Sequence, residues 1–316
     1  MVGVPLPARA VKAFQPGSIP ELAYGEFGFI GELDLSRNQT STLDEKYQSL
    51  RDDLRAMGSV LVAYSAGVDS TLLLKVASDV LEDRALGVTG VSESLPEEEK
   101  NEAAELAEWM GARHRYVDTE EIHNAEYMQN NPRRCYFCRD ELYSRLEVIA
   151  REEGAAFICE GSILDDISDF RPGMLAIREH GVRSPLKDAG FTKVDVRALS
   201  EKLGLPTADK PSLACLSSRF PYGDPITIEA LEQVGRAEAF IRGLGLKQFR
   251  VRHHRNMARI ETEPADLAKV IEHHDEIAAY LKEIGYNYVT LDLEGYRTGS
   301  MNEVLKKRKA APAETS

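Results

Sequence analysis

The 316-residue sequence predicts an α/β protein: a doubly wound parallel sheet followed by a small C-terminal α+β domain. Three observations predict it. Apolar or half-apolar runs at 60–63 (VLVA), 85–91 (ALGVTGV) and 113–118 alternate with helix-spaced apolar residues, giving the β-α-β-α-β order of a parallel sheet. Polar turns follow at 65–70, 92–95 and 160–166, the carboxyl ends of strands, where such sheets hold ligands. After Gly223 the pattern changes to a helix, an alternating hairpin, a second helix and a final strand.

Composition narrows the function classes. With 43% hydrophobic and 29% charged residues the chain is an ordinary globular mix. No apolar run approaches the roughly 18 residues of a membrane span, and the first residues lack a secretory pattern. The net charge of −13 argues against broad contact with nucleic acid. Four cysteines do not make a disulfide scaffold in so long a chain, so a cytoplasmic location is expected. Residues 1–42, with Pro5, Pro7, Pro16 and Pro20, show no period and read as a poorly ordered extension. Residues 301–316 read as a tail with a short basic run at Lys306–Lys309.

In chain order, Leu43, Tyr47, Leu50, Leu54 and Met57 predict a helix leading into the 60–63 strand. Ser65-Ala66-Gly67-Val68-Asp69-Ser70 then turns into a helix carrying Leu72, Leu73, Val76, Ala77, Val80 and Leu81. A strand, a tight loop and a helix aim backbone N–H groups and a helix dipole at an anion. Gly67 permits close approach of the backbone, Ser65 and Ser70 offer hydroxyls, and Asp69 can orient a metal or a donor. No Lys-Ser or Lys-Thr closes the loop as in a Walker motif. Ala66 is strained if its position needs a positive φ.

Ser92 follows the 85–91 strand, and Ser94 is expected to cap a helix opening at Pro96. Cys135 and Cys138 form a C-x-x-C at a helix start, open between a metal half-site, a redox pair and a buried, inert pair. Arg133, Arg134 and Arg139 are expected to lower their thiol pKa values. Cys159, in the apolar strand 156–159, reads as core. Gly161 opens the next turn, in which Asp165 and Asp166 either hold Mg²⁺ or cap a helix. A helix over 194–203 follows. Cys215 lies in a loop of Ser, Pro and Gly between Lys210 and Arg219, cations expected to favour its thiolate.

Beyond Gly223 come a helix over 231–244, a hairpin of strands 249–254 and 257–262, one long helix over 267–281 and a strand over 288–293. Arg250 and Arg252 share a strand face, and paired guanidiniums suit a phosphate. His253, His254, His273 and His274 read as solvent-facing.

The SAGVDS loop resembles the SGGxDS pyrophosphatase loop of the N-type ATP pyrophosphatases (PP-loop superfamily), which cut ATP between its α and β phosphates. Ala66 stands in place of the first Gly. SAGVDS, VSESLPEEE, EGSILDD and ACLSSRFPYG occur in the order and spacing of one branch, the ATP-dependent sacrificial sulfur transferase family, LarE. The resemblance spans about residues 43–300. It implies an adenine nucleotide alpha hydrolase-like domain over 43–223 and a substrate or oligomerisation domain over 224–300. ATP with Mg²⁺ would bind Ser65, Ala66, Gly67, Val68, Asp69, Ser70, Ser92 and Gly161. The implied reaction adenylates a carboxylate of a pyridinium mononucleotide and replaces oxygen by sulfur, in nickel-pincer cofactor biosynthesis. The sulfur comes either from Cys215, leaving dehydroalanine, or from a sulfide on a [4Fe–4S] cluster held by Cys135, Cys138 and Cys215, as in a three-cysteine subset. Arg219, Arg250 and Arg252 would bind the substrate phosphate, Glu238 and Glu261 a divalent metal, and the chain would form a homo-oligomer. Rival readings are a tRNA-thiolating enzyme, which needs a basic face, an ammonia-using amidating enzyme, which gives the cysteines no role, and a nucleotide-binding module without catalysis.

Overall fold

The computed structural model describes residues 41–168, 172–211 and 214–297. The expected N-terminal extension, apart from its last two residues, and the basic tail lie outside them. The first element is helix α1 (Leu43–Met57), opened by a capping box between Thr42 and Glu45. Strand β1 (Val60–Ala63) and helix α2 (Val68–Leu81) flank the SAGVDS loop. There follow β2 (Ala85–Val91), α3 (Glu97–Met110), β3 (Arg113–Asp118), the single-turn α4 (Ala125–Met128), α5 (Arg134–Glu153) and β4 (Phe157–Cys159). Three more helices complete the first unit: α6 (Gly173–Glu179), α7 (Pro185–Asp188) and α8 (Lys193–Lys202).

The first four strands form a wholly parallel sheet in the order β3-β2-β1-β4. Successive side chains of a strand point to opposite faces, so β1 serves two cores. Val60 and Val62 pack with Leu50 and Leu54 of α1, Leu72 and Leu73 of α2, Leu106 of α3 and Leu199 of α8. Leu61 packs on the other face with Tyr143, Leu146 and Ile149 of α5 and Ile177 of α6. That is why the strand reads as an unbroken apolar run. Cys159 is buried in the first of these cores, as expected.

The C-terminal part has α9 (Ile228–Gly243), β5 (Phe249–His254), β6 (Met257–Thr262), α10 (Leu267–Glu272), α11 (His274–Glu283) and β7 (Tyr288–Leu291). Strands β5 and β6 pair as the expected antiparallel hairpin across Arg255, whose φ is +58°, and β7 adds parallel to β6. The long helix expected over 267–281 is instead broken at His273, which is the C-cap of α10 and the N-cap of α11. His253 is not solvent-facing. It is buried against Phe220 and Tyr286, and its Nδ1 lies 3.1 Å from the Tyr286 hydroxyl. A separate apolar cluster of Tyr127, Leu216, Phe220, Ile226, Leu231 and Val234 joins the Cys215 loop to α4 and α9. No helix among the described residues is long and apolar enough to cross a membrane.

Candidate active site

The SAGVDS loop leaves the carboxyl end of β1 and enters α2 at Gly67, whose lack of a side chain leaves the first-turn amides facing the site uncapped. The Ser70 hydroxyl organises the turn: it accepts the Ser65 N–H at 3.2 Å, lies 3.1 Å from the Ser65 hydroxyl and donates to the Gly67 carbonyl at 3.2 Å. Ala66 sits at φ +53°, the left-handed region in which its methyl is strained. Gly161, after β4, backs directly onto this turn. A Cβ there would lie 3.0 Å from the Ser70 nitrogen and 3.2 Å from the Asp69 carbonyl carbon. Those neighbours are backbone and cannot swing away. Gly161→Ala therefore destabilises the protein by about 1–3 kcal/mol and weakens ATP binding, measurable by urea unfolding and by calorimetric titration.

Two lysines hold the loop. Lys193, the first residue of α8, places Nζ 2.7 and 2.5 Å from the two Asp69 oxygens. Lys210 donates to the Ala66 carbonyl at 2.9 Å and pairs with Glu102 at 2.6 Å. Lys210 thus braces the nucleotide loop rather than flanking Cys215. Burial pushes the Asp69 carboxyl up, with Lys193 pulling the other way. Asp166 accepts the Ile163 N–H locally, and Asp165 accepts that of Lys193, 28 residues on, so both carboxylates hold backbone N–H groups in this arrangement. Ser94 does not cap α3, whose N-cap is Pro96. Instead Ser92 and Ser94 both donate to one oxygen of the buried Glu121, at 2.6 and 3.3 Å. The Ser94 carbonyl accepts the Leu216 N–H, tying the β2 turn to the Cys215 loop.

The Cys215 loop is clamped from below by the segment between α4 and α5. Asn130, fully buried, donates to the Phe220 and Pro221 carbonyls. Arg134 donates to Asn130 and to the Ser217 carbonyl, and the Tyr127 and Ser217 hydroxyls lie 2.5 Å apart. Cys215 and Cys135 are exposed and Cys138 is half-buried. The three thiols lie within electrostatic reach of one another and of Arg134 or Arg139. Among the described residues they are not drawn together into a group of three able to hold a metal ion. The expected lowering of thiol pKa does not occur at Cys138 or Cys215. Cys215 is exposed to solvent yet closely surrounded by protein, and desolvation there pushes its thiol up despite Arg134 and Arg219. Burial raises the Cys138 thiol well above its ordinary value, with Glu121 adding to the effect. Alkylation of Cys215 by iodoacetamide in metal-free protein should accordingly have its pH midpoint above that of an ordinary cysteine; a midpoint below it would contradict this environment.

Arg219 connects this loop to α9 and, through Glu238, to the second sheet. Its Nη1 donates to the carbonyls of Ala214 and Cys215, while Nε and Nη2 grip Glu238 at 2.8 and 2.7 Å. Burial opposes the Arg219 charge, but Glu238 outweighs it and raises the pKa. Arg252 donates to Glu261 at 2.8 Å and to the Ser218 carbonyl, and Arg259 takes the other Glu261 oxygen. Arg250 lies over the Tyr296 ring; burial, then the nearby Arg219 charge, pulls its pKa down. The structure thus brings Arg219, Arg250 and Arg252 together with Glu238 and Glu261, all buried. Lys193 and Glu121, both at the site, carried no motif of their own in the sequence.

A parallel sheet carrying this loop at its carboxyl edge places the protein in the PP-loop class of ATP pyrophosphatases, whose members use ATP with Mg²⁺. No protein-family model matches the chain. Over 272 residues, 86% of this chain and 99% of the relative, it is 40% identical to the pyridinium-3,5-bisthiocarboxylic acid mononucleotide synthase of Lactiplantibacillus plantarum. An uncharacterised protein of Synechocystis is 45% identical over 84% of this chain and its own full length. A component of the glutamine-hydrolysing GMP synthase of Archaeoglobus fulgidus is 25% identical over 66% of this chain and 71% of that protein. The chain belongs to the LarE family of pyridinium mononucleotide sulfur-inserting synthases.

Proposed function

We propose that the protein adenylates a carboxylate of a pyridinium mononucleotide with ATP and converts it to a thiocarboxylate, a step in nickel-pincer cofactor synthesis. The observation that carries this reading is the position of Cys215. It is an exposed thiol on a loop hydrogen-bonded on one side to the β2 turn beside the ATP loop and on the other, through Arg219, to a buried arginine cluster. ATP would lie on Ser65–Ser70 with Ser92 and Gly161 beside it. The α2 amides would receive its phosphates, and Asp69, with Asp165 and Asp166 close by, would hold Mg²⁺. Attack by the substrate carboxylate on the α phosphorus would release pyrophosphate and leave an acyl adenylate, an electrophilic carbon for the sulfur nucleophile.

Arg219, Arg250 and Arg252 would receive the mononucleotide phosphate. Three buried guanidiniums face two buried carboxylates there, and an anion would relieve the Arg219 repulsion that adds to burial in lowering the Arg250 pKa. A divalent ion on Glu238 and Glu261 would have to compete with Arg219 and Arg252 for the same oxygens. Cys215 is the sulfur donor in this mechanism. The cluster on Cys135, Cys138 and Cys215 is the alternative source; among the described residues these thiols are within electrostatic reach of one another but are not drawn together as a ligand set. The protein would act as a cytoplasmic homo-oligomer, with residues 224–300 as its substrate and assembly domain. Chromatography of nucleotides tests the proposal: AMP and pyrophosphate should form only when the pyridinium mononucleotide is added. Formation driven instead by tRNA or by ammonia would replace it with one of the rival activities.

A further inference from the structure

Lys193 is placed to do more than brace a loop. Its backbone is fixed by the first turn of α8: Thr192 and Asp195 close a capping box, and Lys46 holds Asp195 at 2.7 Å. The Lys193 N–H is bound by Asp165. Its side chain is 39% exposed, however, and the Asp69 carboxylate it covers is 26% exposed, so the pair at the loop is only partly covered by protein. Lys210, by contrast, has a side chain only 12% exposed and is shared between Glu102 and the Ala66 carbonyl, which leaves it little room to move. A long side chain on a fixed backbone can exchange one oxygen partner for another at low cost.

We propose that Lys193 is an exchangeable counter-ion, occupying Asp69 in the empty site and passing to the leaving pyrophosphate when Mg²⁺ takes over Asp69. This rests on the ATP-cleaving activity proposed above. A doubly charged ion outcompetes an ammonium for one carboxylate, and the triphosphate brings the negative charge that draws the ammonium across. In the step itself a bond forms between the substrate carboxylate oxygen and the α phosphorus. The bond from the α phosphorus to the bridging oxygen breaks, and pyrophosphate leaves with that electron pair. The Lys193 ammonium then hydrogen-bonds the new oxyanion without giving up a proton.

The test pairs two readouts on the full chain, comparing Lys193→Met and Lys193→Arg with the unaltered protein. First, Mn²⁺ alone, followed by electron paramagnetic resonance, should bind Lys193→Met at least about fivefold more tightly, because the competitor for Asp69 is gone. Lys193→Arg should bind it as the unaltered protein does. Second, pyrophosphate release with substrate should fall about a hundredfold in Lys193→Met and recover substantially in Lys193→Arg. Unchanged Mn²⁺ affinity in Lys193→Met, with the circular dichroism of a folded protein, overturns the exchange, as does pyrophosphate release at the unaltered rate. If the unaltered protein releases no pyrophosphate, the proposed activity fails, while the Mn²⁺ readout still decides whether Lys193 competes for Asp69.

Discussion

Cys215→Ala should abolish sulfur incorporation while leaving ATP cleavage to AMP and pyrophosphate within a few-fold of the unaltered protein. The two halves of the reaction sit on different elements. The nucleotide groups belong to the β1–α2 loop and Gly161, whereas Cys215 lies on a separate loop held by Asn130, Arg134 and Arg219. Removing one sulfur from an exposed position opens no cavity in the core and breaks none of those bonds, since Arg219 and Arg134 hold the loop through its backbone carbonyls and the Ser218 hydroxyl. The acyl adenylate would then form and meet no nucleophile but water. A coupled pyrophosphate assay and mass analysis of the product separate the two effects. Sulfur in the product of Cys215→Ala would remove this residue from the mechanism.

Glu238→Ala should be the most destabilising change, costing about 3–5 kcal/mol, a large share of the roughly 5–15 kcal/mol that holds a typical domain together. Glu238 and Arg219 side chains are each 3% exposed, so the guanidinium left behind cannot be rehydrated without local opening. The loss extends to the backbone, because one Glu238 oxygen also accepts the Val251 N–H at 2.9 Å. It reaches the chemistry as well, since Arg219 links the Cys215 carbonyl to Glu238 on α9. Urea unfolding monitored by circular dichroism measures the cost. A change below about 1 kcal/mol, the size of an exposed pair, would mean the cluster is wetter than the structure indicates.

The parts of this molecule that were legible in its sequence are those set by neighbours in the chain. The bounds of β1, β2 and β3 follow from short runs closed by turn residues, and the strain at Ala66 followed from one departure within a six-residue motif. Local capping rules failed at Ser94 because Glu121, 27 residues on, offered its hydroxyl a buried acceptor. The cations near Cys215 promised a low pKa, but the sequence does not display the protein packed around the sulfur, and desolvation prevailed. Lys193 and Asp69 are 124 residues apart, and nothing in either segment announces the other. His253 is buried by rings from Phe220 and Tyr286, partners that only the folded chain supplies.

The most direct test of sulfur transfer is a single-turnover reaction of anaerobically purified protein with MgATP and the pyridinium mononucleotide, followed by intact mass of protein and product. The account predicts a product in which sulfur replaces a carboxylate oxygen, together with AMP, pyrophosphate and a Cys215 lighter by the elements of H₂S. An unchanged protein mass with sulfur in the product and iron bound to the chain would assign the sulfur to a cluster instead. AMP and pyrophosphate accompanied by a product containing no sulfur would contradict the account.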